Sequence, residues 1–342
     1  MATLVRAASL GNYAEVARRA GLDPARMLRA AGLNPAHLAD PDLRIPAAAV
    51  VRLLEDSARR SGCPTLGLQM AESWRMSDFG AMSLLLAHQR TLRDALAAVT
   101  RYRHLLNDAI SLGIEEAGPL VIVREEVLVE HGRPAGRQAI ELAIGVVFRM
   151  FRALLGSDWK PRDVRFTHPA PPDLAVHRRV FGAHVRFDAG FNGIVCEARD
   201  LDRPNPSADP AMAGHALRYV ESLPGAQQPS LAQEVRRSIL VLLPRGRASI
   251  EQVAQALGTH PRMIQRTLEK SGESFSSLLN ATRRELVPRY LENPAYSLTQ
   301  VAELLGYAFP SSFTRWFSAE FGEAPARWRA ARARSRRKAT VR

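Results

Sequence analysis

Thiols are nearly absent from this chain: Cys63 and Cys196 are the two cysteines among 342 residues. Two isolated cysteines make neither a metal motif nor a disulfide framework, so both are expected as core thiols in a reducing cytosol. Catalytic signatures are missing too. There is no Walker phosphate loop, no His-Glu-x-x-His helix and no Gly-x-Ser-x-Gly elbow, so no enzyme activity and no cofactor are expected. Long apolar runs are also lacking. The most apolar stretch, AIELAIGVVFRMFRALLG, is interrupted by Glu141, Arg149 and Arg152, which excludes a membrane span. The opening MATLVRAASLGNY has no apolar core of a signal peptide. A cytoplasmic location follows as the expectation.

Acidic residues are scarce in one part only. The net charge is +13, and residues 230–342 carry +10 of it, with 19 basic against 9 acidic side chains. Residues 1–229 hold 28 basic and 25 acidic residues, a net of +3. A basic domain joined to a near-neutral one is the footprint of phosphate-backbone binding confined to the C-terminal part. The last residues, RAARARSRRKATVR, form a basic run without apolar periodicity. They are expected as a solvated tail, 330–342, with added non-specific affinity for nucleic acid as the sharper alternative.

What the chain does have is one pattern written twice. SIEQVAQALGTHPRMIQRTLEKSGESF begins at Ser249, and SLTQVAELLGYAFPSSFTRWFSAEFGEAP begins at Ser297. Ser249 pairs with Ser297, Gln252 with Gln300, Val253 with Val301, Leu257 with Leu305 and Gly258 with Gly306. After one extra residue in the turn, Arg266 pairs with Arg315 and Leu268 with Phe317. Such repetition means two copies of one supersecondary unit. Each opens with Ser-x-x-Gln, a capping box at a helix start. Apolar residues at helical spacing follow, and then a glycine, which leaves a helix through a left-handed residue without a Cβ penalty. A second helix starts within a few residues. Helix, glycine turn and helix make a helix-turn-helix, whose second helix enters the DNA major groove.

The second helices carry suitable side chains. Arg262, Gln265 and Arg266 lie at i, i+3 and i+4 and share one face, and Ser311, Thr314 and Arg315 match them in the second copy. Ile264 and Leu268, and likewise Phe313 and Phe317, are expected to pack inward. Arginine can bond guanine and glutamine adenine bidentately, each worth about 1–3 kcal/mol of discrimination. An ordinary solvated helix face explains most single Arg/Gln triplets; two copies at matching positions favour DNA contact. Between the copies, 275–292 reads as one helix about 27 Å long. That could hold two recognition helices about one DNA turn apart, near 34 Å, so that one chain reads two successive major grooves. Pro288 falls inside this connector and predicts a kink or early end there.

The stretch from about Ala232 to Arg329 resembles the AraC/XylS family of bacterial transcription regulators. The resemblance rests on the Gly258 turn with Ile264, Gln265 and Arg266, and on LLGYAFPSSFTRWFSAEFGEAPARWR. It implies a double helix-turn-helix domain over 231–329 that binds double-stranded promoter DNA, with RNA polymerase as a partner of any activator. His260 departs from the family, which favours a small capping residue such as serine at that place. A DNA-modifying enzyme borrowing such a reader would need a zinc cluster of cysteines that two thiols cannot supply. A general DNA-packaging protein, binding through backbone charge alone, is the alternative.

Before this domain the chain reads as helical over 1–106 and as a small antiparallel α+β part over 107–210. Turns at GLDP and GLNP punctuate short helices, with Asp23 and Asn34 as caps. Further helices are expected at 47–61, 65–73 and 91–106, a hairpin around Ala117-Gly118-Pro119, and a long helix over 137–155. Short strands are expected at 164–167, 185–187 and 193–195, and a helix at 172–181. Residues 202–210, DRPNPSADP, suit no regular structure; a short helix at 211–222 then leads to LPGAQQPS as the linker, giving 211–230 as the connection. The overall class is mainly α with an α+β part. RIPAAAVVRLLEDSAR, RYRHLLNDA and FGAHVRFDAGFNGIVCEARDLDRPNP resemble the arabinose-binding-like N-terminal domain of ornithine-utilisation-type AraC regulators. The resemblance covers about 13–210 and implies small-molecule sensing or self-association, hence an effector and a possible homodimer. Phe166, His168, Phe187, Phe191 and Asn192 cluster near strand ends and are the candidate ligand contacts, with ordinary core and turn packing as the other reading. His104, late on a helix before the α/β part, loosely suggests a haem- or gas-responsive alternative.

Overall fold

The computed structural model describes residues 3–127, 136–223, 231–243, 246, 248–257, 259–292 and 296–340. These fall into two compact units divided between residues 228 and 229. Residues 224–230 of the expected linker 223–230, and Gly258 of the first turn, lie outside the described residues.

The N-terminal unit opens with a ribbon of β1 (Leu4–Arg6) against β2 (Arg44–Pro46), between which lie α1 (Tyr13–Arg19) and α2 (Pro24–Ala30). Asp23 caps α2 as expected, accepting from the Ala25 and Arg26 amides at 2.9 and 3.3 Å, with Pro24 at the first helical position. Asn34 likewise accepts from Ala36 at 3.0 Å. Then come α3 (Ala47–Ser61), α4 (Leu66–Glu72), α5 (Met82–Ala87) and α6 (Leu92–Leu106). In α3 the buried Val50, Leu53, Leu54, Ser57 and Ala58 repeat at helical spacing. The helix ends at Gly62, whose φ of 64° only glycine adopts freely.

The α+β part follows. Strands β3 (Ile110–Ala117) and β4 (Leu120–Val127) form the expected hairpin, with Gly118 at φ 62° in its two-residue loop. Next are α7 (Arg137–Leu155), β5 (Asp163–Arg165), α8 (Ala175–Phe181), β6 (His184–Arg186), β7 (Gly193–Glu197) and α9 (Pro210–Ser222). The sheet order is β3-β4-β7-β5-β6. Its one departure from the antiparallel expectation is β5 with β6, which pair parallel. A parallel neighbour needs a long crossover, and residues 166–183, containing α8, provide it. Helix α9 packs into this unit through Ala216 and Val220, so the expected boundary at 210 moves beyond it. Helix α7 packs between α4 and β4. Gly67 and Gly145 let α4 and α7 approach closely: a Cβ on Gly67 would clash with the Gln138 carbonyl, and one on Gly145 with Ala71.

The C-terminal unit is all helical among its described residues. It comprises α10 (Leu231–Leu242), α11 (Ile250–Ala256), α12 (Pro261–Lys270), α13 (Phe275–Leu291), α14 (Leu298–Leu304), α15 (Pro310–Phe321) and α16 (Pro325–Thr340). One apolar core joins both copies of the repeat, and α10 packs on α11, α12 and α13. Two expectations change. Through Thr340 the basic run is not an irregular tail but part of α16: its alanines and arginines are strong helix formers and need no apolar stripe. Of the kink or early end expected at Pro288, the early end does not occur, since the connector continues to Leu291. Val287, Tyr290 and Leu291 are buried there, and their packing offsets the amide that proline lacks.

Candidate nucleic-acid interface and ligand cavity

Both copies begin as their spacing predicts. Ser249 and Gln252 exchange capping bonds at 3.3 and 3.1 Å, and Ser297 and Gln300 at 3.1 and 2.7 Å. The second turn passes through Gly306 at φ 71°. His260 starts α12 by capping it with its imidazole, Nδ1 accepting from the Arg262 amide at 3.3 Å. The ring thus does what a small hydroxyl would do there.

The two second helices, α12 and α15, each split into a buried and an exposed face. Ile264 and Leu268 are fully buried in α12, and Phe313 and Phe317 in α15. Phe317 packs against Phe313 at 5.7 Å, Phe321 at 4.4 Å and Trp328 at 6.1 Å. Arg262, Gln265 and Arg266 are all exposed on α12, as are Ser311, Thr314 and Arg315 on α15. Thr314 donates its hydroxyl proton to the Pro310 carbonyl at 3.0 Å, which leaves its oxygen free to accept. Met263 and Phe309 are more than half exposed next to these faces. Their spacing carried no signal, because an apolar residue in an amphipathic helix reads as core.

A third residue carried no signal in the sequence. Arg283 on α13 donates Nε to the Leu305 carbonyl at 3.0 Å, and its guanidinium lies 4.1 Å from the Tyr307 ring. It ties the connector to the turn of the second copy. Burial lowers its pKa and pushes the Tyr307 hydroxyl up to about 12.

In the N-terminal unit the five candidate ligand residues make several sets of contacts within the protein. Phe166 stacks on Phe187 at 5.7 Å, with the His168 ring 5.0 Å from Phe166. His177 joins this cluster, and its Nε2 lies 3.1 Å from Glu141 Oε1 in the core. Burial holds the His168 imidazole below its ordinary value. Asn192 instead ties a turn, accepting from the Thr167 amide at 2.9 Å. Phe191 lies between the guanidinium groups of Arg124 and Arg165, at 4.1 and 5.0 Å.

A cavity lies elsewhere in the unit. It has a volume of about 460 Å³ and is walled by α3, α6, α7, the hairpin and the start of the chain. None of the five lines it, nor does His104. Its wall is mostly apolar, with Val50, Leu54, Val99, Leu142, Val147 and Met150 among the lining. Glu125 lines it too and is 2% exposed. On β4 the alternation buries Val121, Val123, Glu125 and Val127 on one face, so the carboxylate occupies a core position. Its Oε2 has no hydrogen-bond partner among the described residues, and burial pushes its pKa up to about 8. The period of that strand could have found Glu125.

Cys63 accepts from Gln69 at 3.2 Å, and burial pushes the Cys196 thiol up to about 12. Among the described residues no helix is long and apolar enough to cross a membrane, and no three metal-binding side chains converge.

Comparison with known proteins converges on one family. Residues 21–205 match the arabinose-binding domain of AraC transcription regulators, and residues 253–331 match a helix-turn-helix domain. The chain belongs to the AraC-type transcription regulators. The HTH-type transcriptional regulator VirS of Mycobacterium tuberculosis is 32% identical over 331 residues, 96% of this chain and 97% of that protein. The ornithine utilization regulator of Pseudomonas aeruginosa is 25% identical over 91% of this chain and 92% of its own. The crystal structure of the transcriptional regulator CdpR from Pseudomonas aeruginosa aligns with a TM-score of 0.45 and 21% identity, over 90% of this chain and 96% of that one. This AraC-type chain is thus a DNA-binding regulator, with its helix-turn-helix units downstream of an N-terminal ligand-binding domain.

Proposed function

We propose that this regulator reads an asymmetric promoter site across two successive major grooves. In this reading Arg262, Gln265 and Arg266 enter one groove, and Ser311, Thr314 and Arg315 enter the next. The observation that carries it is the paired design of α12 and α15, each anchored by two fully buried apolar side chains beneath an exposed polar face. Arg262, Arg266 and Arg315 have no ion-pair partner among the described residues, which suits side chains reserved for a ligand. Met263 and Phe309, exposed beside them, suit contact with thymine methyl groups.

The N-terminal unit, in the same proposal, binds a small effector and shifts DNA affinity by favouring one conformational state. The protein acts without catalysis, in the bacterial cytoplasm, with RNA polymerase as partner if it activates, and with self-association through the N-terminal unit.

Selection of bound DNA from a random pool tests the reader. The full chain should enrich two unlike boxes about one helical turn apart. Arg266→Ala should cost about 1–3 kcal/mol on that site and relax one base position in the first box. Equal weakening on all sequences would make Arg266 a phosphate contact, and enrichment of nothing would leave a packaging protein.

A further inference from the structure

The cavity beside Glu125 holds a feature that folding alone does not explain. Other polar groups of its wall are occupied. Arg6 spends its guanidinium on Asp42, at 2.9 and 2.7 Å, and on the Asp78 carbonyl at 2.9 Å. Asn12 donates to the Met70 carbonyl at 2.6 Å, and Asn107 accepts from the Ala109 amide at 2.8 Å. Among the described residues that line the cavity, Glu125 Oε2 is the buried side-chain atom left without a partner. A buried polar atom without a partner costs stability, and a valine at this position would continue the strand's apolar face at no such cost. The volume, about 460 Å³, lies in the range of small-molecule sites.

Resting on the reading of this unit as the effector domain, we propose that this cavity is the effector site and takes an uncharged, mainly apolar molecule whose hydroxyl or carbonyl oxygen accepts a hydrogen bond from the Glu125 carboxyl. The wall selects for the apolar body. The carboxyl selects for the oxygen, because burial and the neighbouring Glu126 both favour its protonated, donating form at neutral pH. A cationic head would enter a cavity that Arg6, Arg75 and Arg103 also line. An anionic head would share it with Glu15 and Asp78 and would gain no charge from a neutral carboxyl. Both would forfeit their hydration.

Calorimetry on the full chain with n-octanol, n-octylamine and octanoate tests this, using wild type, Glu125→Gln and Glu125→Leu, each checked for folding by circular dichroism. Octanol should bind best and at one site. Glu125→Leu should weaken it about tenfold or more, the effect of losing one hydrogen bond to a buried group. Glu125→Gln, whose amide still donates, should stay within a few-fold of wild type. Binding of 2-octanone, whose carbonyl can only accept, should fall in the wild type as pH rises through about 8, as the donor is lost. Equal octanol binding by wild type and Glu125→Leu, preference for the amine or the carboxylate, or no octanol binding would each overturn the proposed site. Affinity for the selected DNA, measured with and without octanol, separates the two levels. Octanol that binds as described but leaves DNA affinity unchanged overturns the effector reading and keeps the site. Absence of binding removes the site and keeps the effector reading.

Discussion

Glu125 links the stability of the N-terminal unit to pH with a sign that can be worked out in advance. Its carboxyl has an ordinary value of 4.5 and is pushed up to about 8 in the fold, first by burial and then by Glu126. Below pH 4.5 it is neutral in both the folded and the unfolded chain and makes no difference. As pH rises further, the unfolded chain releases this proton while the folded chain keeps it until about pH 8. The unfolded state therefore gains, and stability falls by about 1.4 kcal/mol per pH unit across that window. Above about pH 8 both states are ionised and the loss levels off, at about 5 kcal/mol in all. Glu125→Gln removes the titration and leaves a neutral side chain of similar shape. Urea unfolding of the full chain, wild type beside variant, isolates this site, because all other groups contribute equally to both. Between about pH 6 and about pH 9 the wild type should lose about 3 kcal/mol more than the variant. An equal loss in both proteins would mean that Glu125 ionises freely in the folded state, and the core placement of its carboxyl would be wrong.

Three further substitutions probe the framework. Gly67→Ala should destabilise by about 1–3 kcal/mol or more in urea unfolding, because its methyl would clash with the Gln138 backbone where α4 meets α7; an unchanged midpoint would show that the two helices can part freely. Pro288→Ala restores the amide that can reach the Arg284 carbonyl, and should stabilise the C-terminal unit by up to about 3 kcal/mol, read as a higher melting temperature. Arg283→Ala leaves the Leu305 carbonyl unpartnered and should cost about 1.5–3 kcal/mol of stability. In DNA selection it should blur the second box more than the first.

The parts of this fold that were legible in the sequence are those with local causes. A capping serine, its glutamine partner and four apolar residues lie within nine positions of each helix-turn-helix, so each copy could be placed from its own few residues. Helix α7 was bounded correctly at both ends because its apolar stripe runs unbroken through nineteen residues, from Arg137 to Leu155. The ribbon of β1 and β2 was not seen. Three-residue strands paired across some forty positions, Leu4 with Pro46, carry almost no local pattern. The parallel pairing of β5 and β6 was missed for the same reason. At the candidate sites, aromatic and polar residues near strand ends drew attention to Phe166, His168 and Phe187, whose rings pack against one another. Glu125 went unread because a glutamate in a strand looks solvated, although its phase with Val121, Val123 and Val127 places it inside. Arg283 offered no signal, since its partner is a backbone carbonyl more than twenty residues away.

The uneven charge of the chain resolves, in the structure, into a difference between individual arginines. In the C-terminal unit Arg236 sits 3.1 Å from Glu285, Arg284 2.8 Å from Glu320 and Arg332 3.2 Å from Glu292. To reach a phosphate or a base, each of these would first have to leave a carboxylate. Among the described residues Arg262, Arg266 and Arg315 have no such partner to leave. The N-terminal unit treats several exposed arginines in the first way: Arg93 bridges Glu116 and Asp202 at 2.6 and 2.7 Å, and Arg179 grips Glu72 at 2.6 Å. Exposed pairs of this kind add little stability. Their effect is to cancel charge locally, so that the unit's many arginines present little attraction to a polyanion. Counting charges along the sequence locates the basic third of the chain. Which cations are available to DNA depends on which carboxylates the fold brings beside the others, and among the described residues it pairs none with Arg262, Arg266 or Arg315.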